Sequence, residues 1–280
     1  MSPIAAVRRT WTAIQPPPAS PDGTMSLYDH LRELRYRVVV SALAVLVTTV
    51  VAAFFYTQLV AFVTAPWEQA VADYKANNPT ADTLLVNKDV VSPFVLALQT
   101  CLVAGLIAAC PVWMWQLWRF VVPALLENER RYAIGFIASA VPLFLAGCAL
   151  GYAVMPKGIA VMLEFTVQGV TNMQDVQDFL NLELLLILLF GVSFLLPVVL
   201  VMVNLAGVVT GEQLGKARTY AIFGCFVLGA IATPSTDPFS MIALALPMAI
   251  MYVIAEAICR RNDKRKAKRL KADDMHVSLD

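Results

Sequence analysis

The chain has 280 residues, of which 59% are hydrophobic and 15% carry charged side chains, with a formal net charge of +1. About a quarter of the residues in a soluble globular domain are charged. The composition therefore excludes a soluble domain and predicts an all-α, polytopic membrane protein. A chain of this length can hold six spans of roughly 20 residues each, together with their loops.

Taken in order, the chain predicts a flexible, proline-rich lead at residues 1–26, a six-span membrane domain at residues 27–259 and a basic tail at residues 260–280. We expect no cleavable signal peptide, because no apolar run precedes residue 38. A polar helix at residues 26–37 leads into the first span. The six apolar runs predict spans at about residues 38–63, 92–113, 132–155, 182–205, 219–232 and 239–259.

The last two predicted helices are short. The fifth has too few residues to cross roughly 30 Å of hydrocarbon at 1.5 Å per residue, so local thinning of the bilayer or shielding by neighbouring helices should follow. Residues 64–91 and 156–180 are expected to be polar loops on the far side of the membrane.

The distribution of positive charge predicts the orientation. Of the 21 Lys and Arg residues, all but Lys75, Lys88 and Lys157 fall on one side of this topology. Cytoplasmic loops carry an excess of Lys and Arg. We therefore expect both termini to be cytoplasmic.

The stretch from Pro111 to Arg131 stands out between two apolar runs. It combines Trp113, Trp115 and Trp118 with Arg119 and Glu129. Amphipathic aromatic rings prefer the membrane-water boundary, and arginine beside them favours the cytoplasmic face. The stretch therefore predicts a cytoplasmic segment that lies along the bilayer surface.

Two carboxylates at this face are candidate binding groups. Glu33 and Glu129 are each flanked by arginines, which can keep a carboxylate ionised and positioned. A carboxylate can bind a guanidinium through two parallel hydrogen bonds, and lysine cannot match that geometry. Alternatively, each acid pairs only with its own neighbours as a weak surface ion pair. The neighbouring arginines are Arg35, Arg37, Arg130 and Arg131.

Other polar residues occur within or beside the spans. Gln99 lies deep in the second span, where it needs a polar partner or a cavity. Glu183 falls at the start of the fourth span, Asp237 is placed to cap the sixth helix, and Glu256 can pair with Arg260 four residues later. We expect no metal, cofactor or catalytic apparatus, because no zinc-protease, serine-hydrolase or nucleotide-binding motif is present. We also expect no nucleic-acid partner.

Several motifs resemble those of the TatC family, the multi-spanning core of the twin-arginine protein translocase. The segment from His30 to Arg35 is similar to the family's His-Leu-x-Glu-Leu-Arg motif, and Pro111 to Arg131 is similar to its first cytoplasmic loop. The resemblance continues in order through residues 190–197, 217–220 and 233–240 and covers about residues 27–262. It implies structural or partner-contact roles for Pro111, Trp118, Phe120, Pro123, Phe194, Pro197, Thr233, Pro234 and Asp237.

The resemblance implies a receptor for folded proteins whose signal peptides carry consecutive arginines. Glu33 and Glu129 occupy positions that bind the signal peptide in the family. It further implies the single-span TatA and TatB proteins as partners, self-association in a multimeric complex, contact with membrane lipid, a bacterial inner-membrane location, and transport driven by the proton-motive force. One departure is that Leu195 and Leu196 stand where the family often has a glutamate.

Two other functional classes are weighed against this one. A small-solute secondary transporter is favoured if Gln99 and Glu183 line a substrate cavity. An intramembrane enzyme requires a nucleophile, a base or metal ligands, and the sequence offers no such set.

Overall fold

The computed structural model describes residues 27–78, 83–121, 129–166, 171–205, 207–232 and 238–277. These residues form eight helices and one small sheet. The helices are α1 (Leu27–Ala53), α2 (Tyr56–Asn77), α3 (Ser92–Ala108), α4 (Cys110–Val121), α5 (Glu129–Glu164), α6 (Val176–Leu205), α7 (Gly211–Ala232) and α8 (Pro238–Val277), and the strands are β1 (Thr83–Val86) and β2 (Asn172–Asp175).

Five of the helices are long and apolar enough to span a membrane, and a bent pair supplies a sixth candidate span. This confirms the prediction of an all-α, polytopic membrane protein, with five or six candidate spans. The spans are Tyr28–Ala53, Gly135–Glu164, Val176–Leu205, Gly211–Ile231 and Met241–Lys268, with Ser92–Ala108 and Cys110–Phe120 forming the bent pair.

The bent pair changes the predicted second span. Helices α3 and α4 meet at an angle of 58°, because Pro111 has no backbone N–H with which to continue the hydrogen-bond ladder of α3. Proline is well suited to the first turn of the new helix. The indole N–H of Trp113 donates to the Leu106 carbonyl at 3.0 Å and thereby satisfies a backbone acceptor at the bend.

The predicted loop at residues 64–91 is wrong, because much of it forms α2 and β1. In α2 the buried side chains are Val63, Trp67, Ala70 and Tyr74, which recur at helical spacing and form one apolar face. Pro66 lies inside this helix and frees the Phe62 carbonyl. The Tyr152 hydroxyl of α5 donates to that carbonyl at 2.9 Å.

The predicted loop at residues 156–180 is also largely wrong. Helix α5 continues through Pro156 to Glu164, and α6 begins at Val176 rather than at residue 182. Between them, β2 pairs in parallel with β1, with Thr83 opposite Asn172 and Val86 opposite Asp175. Each strand leads into a helix, so α3 and α6 both begin close to this two-stranded sheet.

The last two helices are longer than predicted. Helix α7 has 22 residues because it begins at Gly211 rather than at residue 219, and α8 has 40 residues because it continues through the basic tail. The polar first turns of α7 contain a Glu212–Lys216 ion pair with an N–O distance of 2.9 Å. Such i,i+4 pairs support a helix that hydropathy alone does not reveal.

The chain divides into two compact units. The first comprises Met1–Phe55 and Cys101–Ala138, and the second comprises Tyr56–Thr100 and Ser139–Asp280. In the first unit, α1 packs against α4, and the Thr48 hydroxyl donates to the Gly105 carbonyl at 2.7 Å. In the second unit, α6 and α7 both pack against α8.

Glycines allow α5 and α6 to approach closely in the second unit. A Cβ atom at Gly147 would lie 2.5 Å from the Phe190 carbonyl oxygen, and one at Gly191 would lie 2.6 Å from the Cys148 sulfur. Both distances are shorter than van der Waals contact. Small residues at such positions let membrane helices pack backbone to backbone.

Candidate functional site

The first candidate carboxylate, Glu33, lies in the second turn of α1 and is 5% exposed. Arg37, one turn later, is 7% exposed. Its Nε donates to Glu33 Oε1 at 3.0 Å, and its Nη2 bonds the same oxygen. Glu33 therefore pairs with its neighbour Arg37, as the alternative prediction expected. The pair is buried, however, and does not lie on the surface.

Two aromatic stacks join helices within the first unit. His30, one turn before Glu33, stacks on Phe120 of α4 with a centroid distance of 4.5 Å and an interplanar angle of 17°. Trp118 of α4 is buried and stacks on Phe136 of α5, also at 4.5 Å. Helix α4 thus joins the start of α1 to the first turns of α5.

The second candidate carboxylate, Glu129, is the first residue of α5. It precedes Phe136 by two helical turns, or about 10 Å along the axis. An acidic residue is favourable at a helix N-terminus. Only the backbone is described at Glu129, Arg130 and Arg131, so their side-chain contacts lie outside the described part of the chain.

The remaining predicted contact residues have varied environments. Arg35 is exposed on α1, Pro111 is exposed in the first turn of α4, and in α6 Phe194 is half-buried while Pro197 is buried. Four more predicted site residues lie outside the described residues, namely Pro123, Thr233, Pro234 and Asp237.

Neither Gln99 nor Glu183 lines the cavity that the structure describes beside α5 and α6. Gln99 is half-buried on α3. A cavity of about 30 Å³ lies between α5 and α6, but its lining is apolar and includes neither residue; it contains Gly151, Val154, Met155, Gly158, Ile159, Met162, Leu182, Leu186, Phe190 and Ala243. This volume is about that of one water molecule. The solute-transporter alternative is therefore not favoured.

Glu183 is not at the start of a span as predicted, because α6 begins seven residues earlier. Its side chain is fully buried, with 0% exposure. Sequence analysis missed this burial because it placed residues 176–181 in a loop. The available signal was Glu183 itself, because it is an acidic residue in an otherwise continuous apolar run from Leu182 to Leu189.

A polar cluster joins α7 and α8 in the second unit. Glu256 is 1% exposed and accepts hydrogen bonds from Arg260 on the same helix, at 2.7 Å, and from Arg218 on α7. The Glu256–Arg260 pair was predicted and is confirmed. The contribution of Arg218 was missed, since 38 residues separate it from Glu256.

A second cluster lies at the two-stranded sheet. Lys88 contacts Asp175 and Asp178 at N–O distances of 3.1 Å, and the Gln177 backbone N–H donates to Asp175 at 2.8 Å. That N–H and the Lys88 ammonium hold the pKa of Asp175 below its ordinary value. The two carboxylates raise the pKa of Lys88.

Metal chemistry finds no support in the described part of the chain. No group of three or more His, Cys, Asp and Glu side chains is placed there to hold a metal ion. The five cysteines form no disulfide and are buried, as small hydrophobic residues often are.

Comparisons with known proteins agree with the fold. The family described as "Sec-independent protein translocase protein (TatC)" matches residues 29–247. Relatives of that name from Frankia casuarinae and Escherichia coli are 35% and 33% identical to the chain. The alignments cover 89% and 84% of this chain and 69% and 88% of those proteins.

A solved structure is also similar. The crystal structure of the twin-arginine translocase receptor TatC matches with a TM-score of 0.68 and 30% identity, covering 82% of this chain and 98% of that one. A relative from Xylanimonas cellulosilytica is 34% identical over 245 residues. The chain therefore belongs to the TatC family of Sec-independent protein translocase proteins.

Proposed function

We propose that this translocase component is the receptor that binds twin-arginine signal peptides of folded proteins. The observation that carries the proposal is the buried Glu33–Arg37 pair in the first unit. The two hydrogen bonds from Arg37 fix the rotamer of the carboxylate. A carboxylate held in this way is prepared to receive a second guanidinium.

Recognition depends on the hydrogen-bonding capacity left on Glu33. Both Arg37 nitrogens bond Oε1, and an ionised carboxylate has about four acceptor positions. An incoming arginine can therefore add bonds without displacing Arg37. We assign the second peptide arginine to Glu129 at the start of α5. One aromatic stack links α1 to α4 and the other links α4 to α5, so α4 lies between the helices that carry Glu33 and Glu129.

Neighbouring cations tune this surface. Arg35 is exposed on the same helix as Glu33, and Arg130 and Arg131 follow Glu129 directly. We propose that these arginines repel peptides with surplus positive charge. Discrimination between arginine and lysine then arises from the planar fork of the guanidinium, since both side chains carry one positive charge.

We propose a bacterial inner-membrane location with both termini in the cytoplasm, as the positive-inside rule favours. The signal-peptide surface then faces the cytoplasm, where a substrate folds before export. Transport would draw on the proton-motive force without a bound cofactor.

We also propose that TatA, TatB, further copies of this chain and membrane lipid contact its apolar surfaces. Helix α7 presents Tyr220, Phe223 and Ile231, which are 79%, 69% and 76% exposed. Their spacing places them along one face of the helix. Phe194 and Pro197 of α6 are further candidates for partner contact or local structure.

Site-specific crosslinking tests the receptor assignment. A photoreactive residue at Leu34, beside Glu33, or at Tyr132, one turn after Glu129, leaves both proposed binding carboxylates in place. In inverted membrane vesicles that contain the partner proteins, either position should crosslink an Arg-Arg signal peptide and not a Lys-Lys peptide. Position 213 is a matched control, because it is next to Glu212, an exposed carboxylate that pairs with Lys216. Equal crosslinking at positions 34, 132 and 213, or none at 34 and 132 in a folded protein, would overturn the assignment.

A further inference from the structure

Glu183 is a buried acid that the proposed receptor site does not use. Its side chain has no exposed surface, and neither Oε1 nor Oε2 has a hydrogen-bond partner among the described residues. Buried carboxylates in folded proteins are almost always paired or hydrogen-bonded. The absence of both kinds of partner therefore requires an explanation.

The neighbours of Glu183 on its own helix show what covers it. Phe179, one turn earlier, packs edge-on against Trp67 of α2 with a centroid distance of 5.5 Å. Ile187, one turn later, lies against Gly151 of α5 at the distance of close backbone packing. Residues i−4 and i+4 share the face of residue i. Glu183 therefore faces the space between α2 and α5.

Among the residues whose side chains the structure describes, the charged residues of α2 and α5 are exposed, namely Glu68, Asp73, Lys75, Lys157 and Glu164. Asp178 of α6 pairs with Lys88, and Glu256 of α8 pairs with two arginines. Among the described residues, the titratable neighbour is Tyr152 of α5, which lies within electrostatic range of Glu183. Its hydroxyl proton is already donated to Phe62.

The depth of the site limits its access to water. The side chains of Gln177 and Ser92 are hydrogen-bonded where α6 and α3 begin. Glu183 is six residues further along α6, or about 9 Å along the helix axis. An ionised carboxylate at this depth has neither a counter-charge nor a hydrogen-bond donor among the described residues, whereas a protonated acid carries no net charge there.

We propose that Glu183 is a proton-binding site, occupied by a proton while α2, α5 and α6 are packed together. The reaction is the addition of one H⁺ to the carboxylate to form the neutral acid, with no other reactant. Release of the proton requires that these helices separate or admit water, because the resulting charge needs solvation. Protonation of Glu183 and the packing of the three helices are thus linked.

Infrared difference spectroscopy of the full chain in lipid vesicles tests this proposal. At pH 7, the difference between wild type and Glu183→Gln should contain the C=O stretching band of a protonated carboxylic acid, and the band should shift in D₂O. Glu212→Gln removes an exposed, ion-paired carboxylate and should alter only carboxylate bands. No signal peptide or partner protein is present, so the result is independent of the proposed receptor function.

Two outcomes would overturn the proposal. One is a difference spectrum for Glu183→Gln that contains only carboxylate bands. The other is a wild-type spectrum at pH 7 that lacks any acid C=O band, which decides the matter even where Glu183→Gln fails to fold. A Glu183→Asp variant provides a further check, since it should keep an acid band and shift its frequency.

Discussion

Arg218 of α7 donates two hydrogen bonds to Glu256 of α8, from Nε to Oε2 and from Nη2 to Oε1, both 2.8 Å long. Arg260 adds a third bond to Oε1. Gly211 and Gly215 leave room on α7 for Arg260, because a Cβ atom at Gly211 would lie 2.6 Å from its backbone nitrogen. One buried carboxylate thus orients two arginines at the α7–α8 contact.

We predict that Glu256→Ala lowers the thermal unfolding temperature of the full chain in detergent by more than Glu212→Ala does. The first change leaves two neighbouring guanidinium groups without their common counter-charge, whereas the second removes an exposed pair that contributes little. Circular dichroism against temperature measures both. Equal shifts for the two variants would show that the cluster does not hold α7 against α8.

The aromatic stack of α4 on α5 gives a second prediction. Trp118→Ala should destabilise the protein by about 3–5 kcal/mol, because it removes a large buried ring. Trp115 is on the same helix but is 37% exposed, so Trp115→Ala should cost much less. Denaturant titration of the two variants provides the comparison, and the reverse order of stability would contradict the packing described here.

Gly147 and Gly224 form a matched pair for helix packing. A Cβ atom at Gly147 meets the backbone of α6, whereas one at Gly224 has nothing within 4 Å. We expect Gly147→Ala to destabilise the protein by about 1–3 kcal/mol through overpacking. Gly224→Ala should be neutral or stabilising by up to about 1 kcal/mol, because alanine favours the helix. A loss of stability in Gly224→Ala as large as in Gly147→Ala would refute the assigned contact.

The sheet cluster predicts a dependence of stability on pH. The folded state lowers the pKa of Asp175, so the ionised form stabilises the fold. That contribution is complete above the unfolded pKa of about 3.9 and is lost as the pH falls through the lower folded pKa. Between pH 5 and pH 3, the unfolding temperature should therefore fall more in wild type than in Asp175→Asn.

Asp178→Asn is the control for this prediction. Asp178 contacts Lys88 but is an exposed residue, whereas Asp175 is buried and also accepts the Gln177 N–H near the start of α6. Asp178→Asn should keep most of the acid sensitivity of the wild type. Identical pH profiles for wild type and Asp175→Asn would rule out the assigned role of Asp175.

The apolar runs were enough to predict six spans, because continuous hydrophobicity is a strong signal at bilayer length. The two strands were missed: each has four residues, and their partners are 89 positions apart, as Thr83 and Asn172 show. Helix α2 was missed, although the buried residues Val63, Trp67, Ala70 and Tyr74 have helical spacing and the helix accommodates Pro66.

The candidate site was predicted in part. Arginine flanking indicated Glu33, and its i,i+4 spacing to Arg37 was visible, but burial of that pair depends on α4 covering α1, a contact between distant segments. The position of Glu183 could not be predicted while the start of α6 was misplaced. Long-range packing, rather than local pattern, decides which acids are enclosed.

Recognition of consecutive arginines by Glu33 and Glu129 can be tested by measuring the binding of an Arg-Arg signal peptide and a Lys-Lys control to the full chain in lipid nanodiscs. Bidentate recognition predicts at least a tenfold weaker affinity for Lys-Lys, since charged hydrogen bonds contribute about 1.5–3 kcal/mol each. Glu33→Gln should lower the Arg-Arg affinity toward that of Lys-Lys, while Glu212→Gln should not. Equal affinity of wild type for both peptides, or an unchanged Arg-Arg affinity in folded Glu33→Gln, would rule out bidentate recognition of the peptide by Glu33.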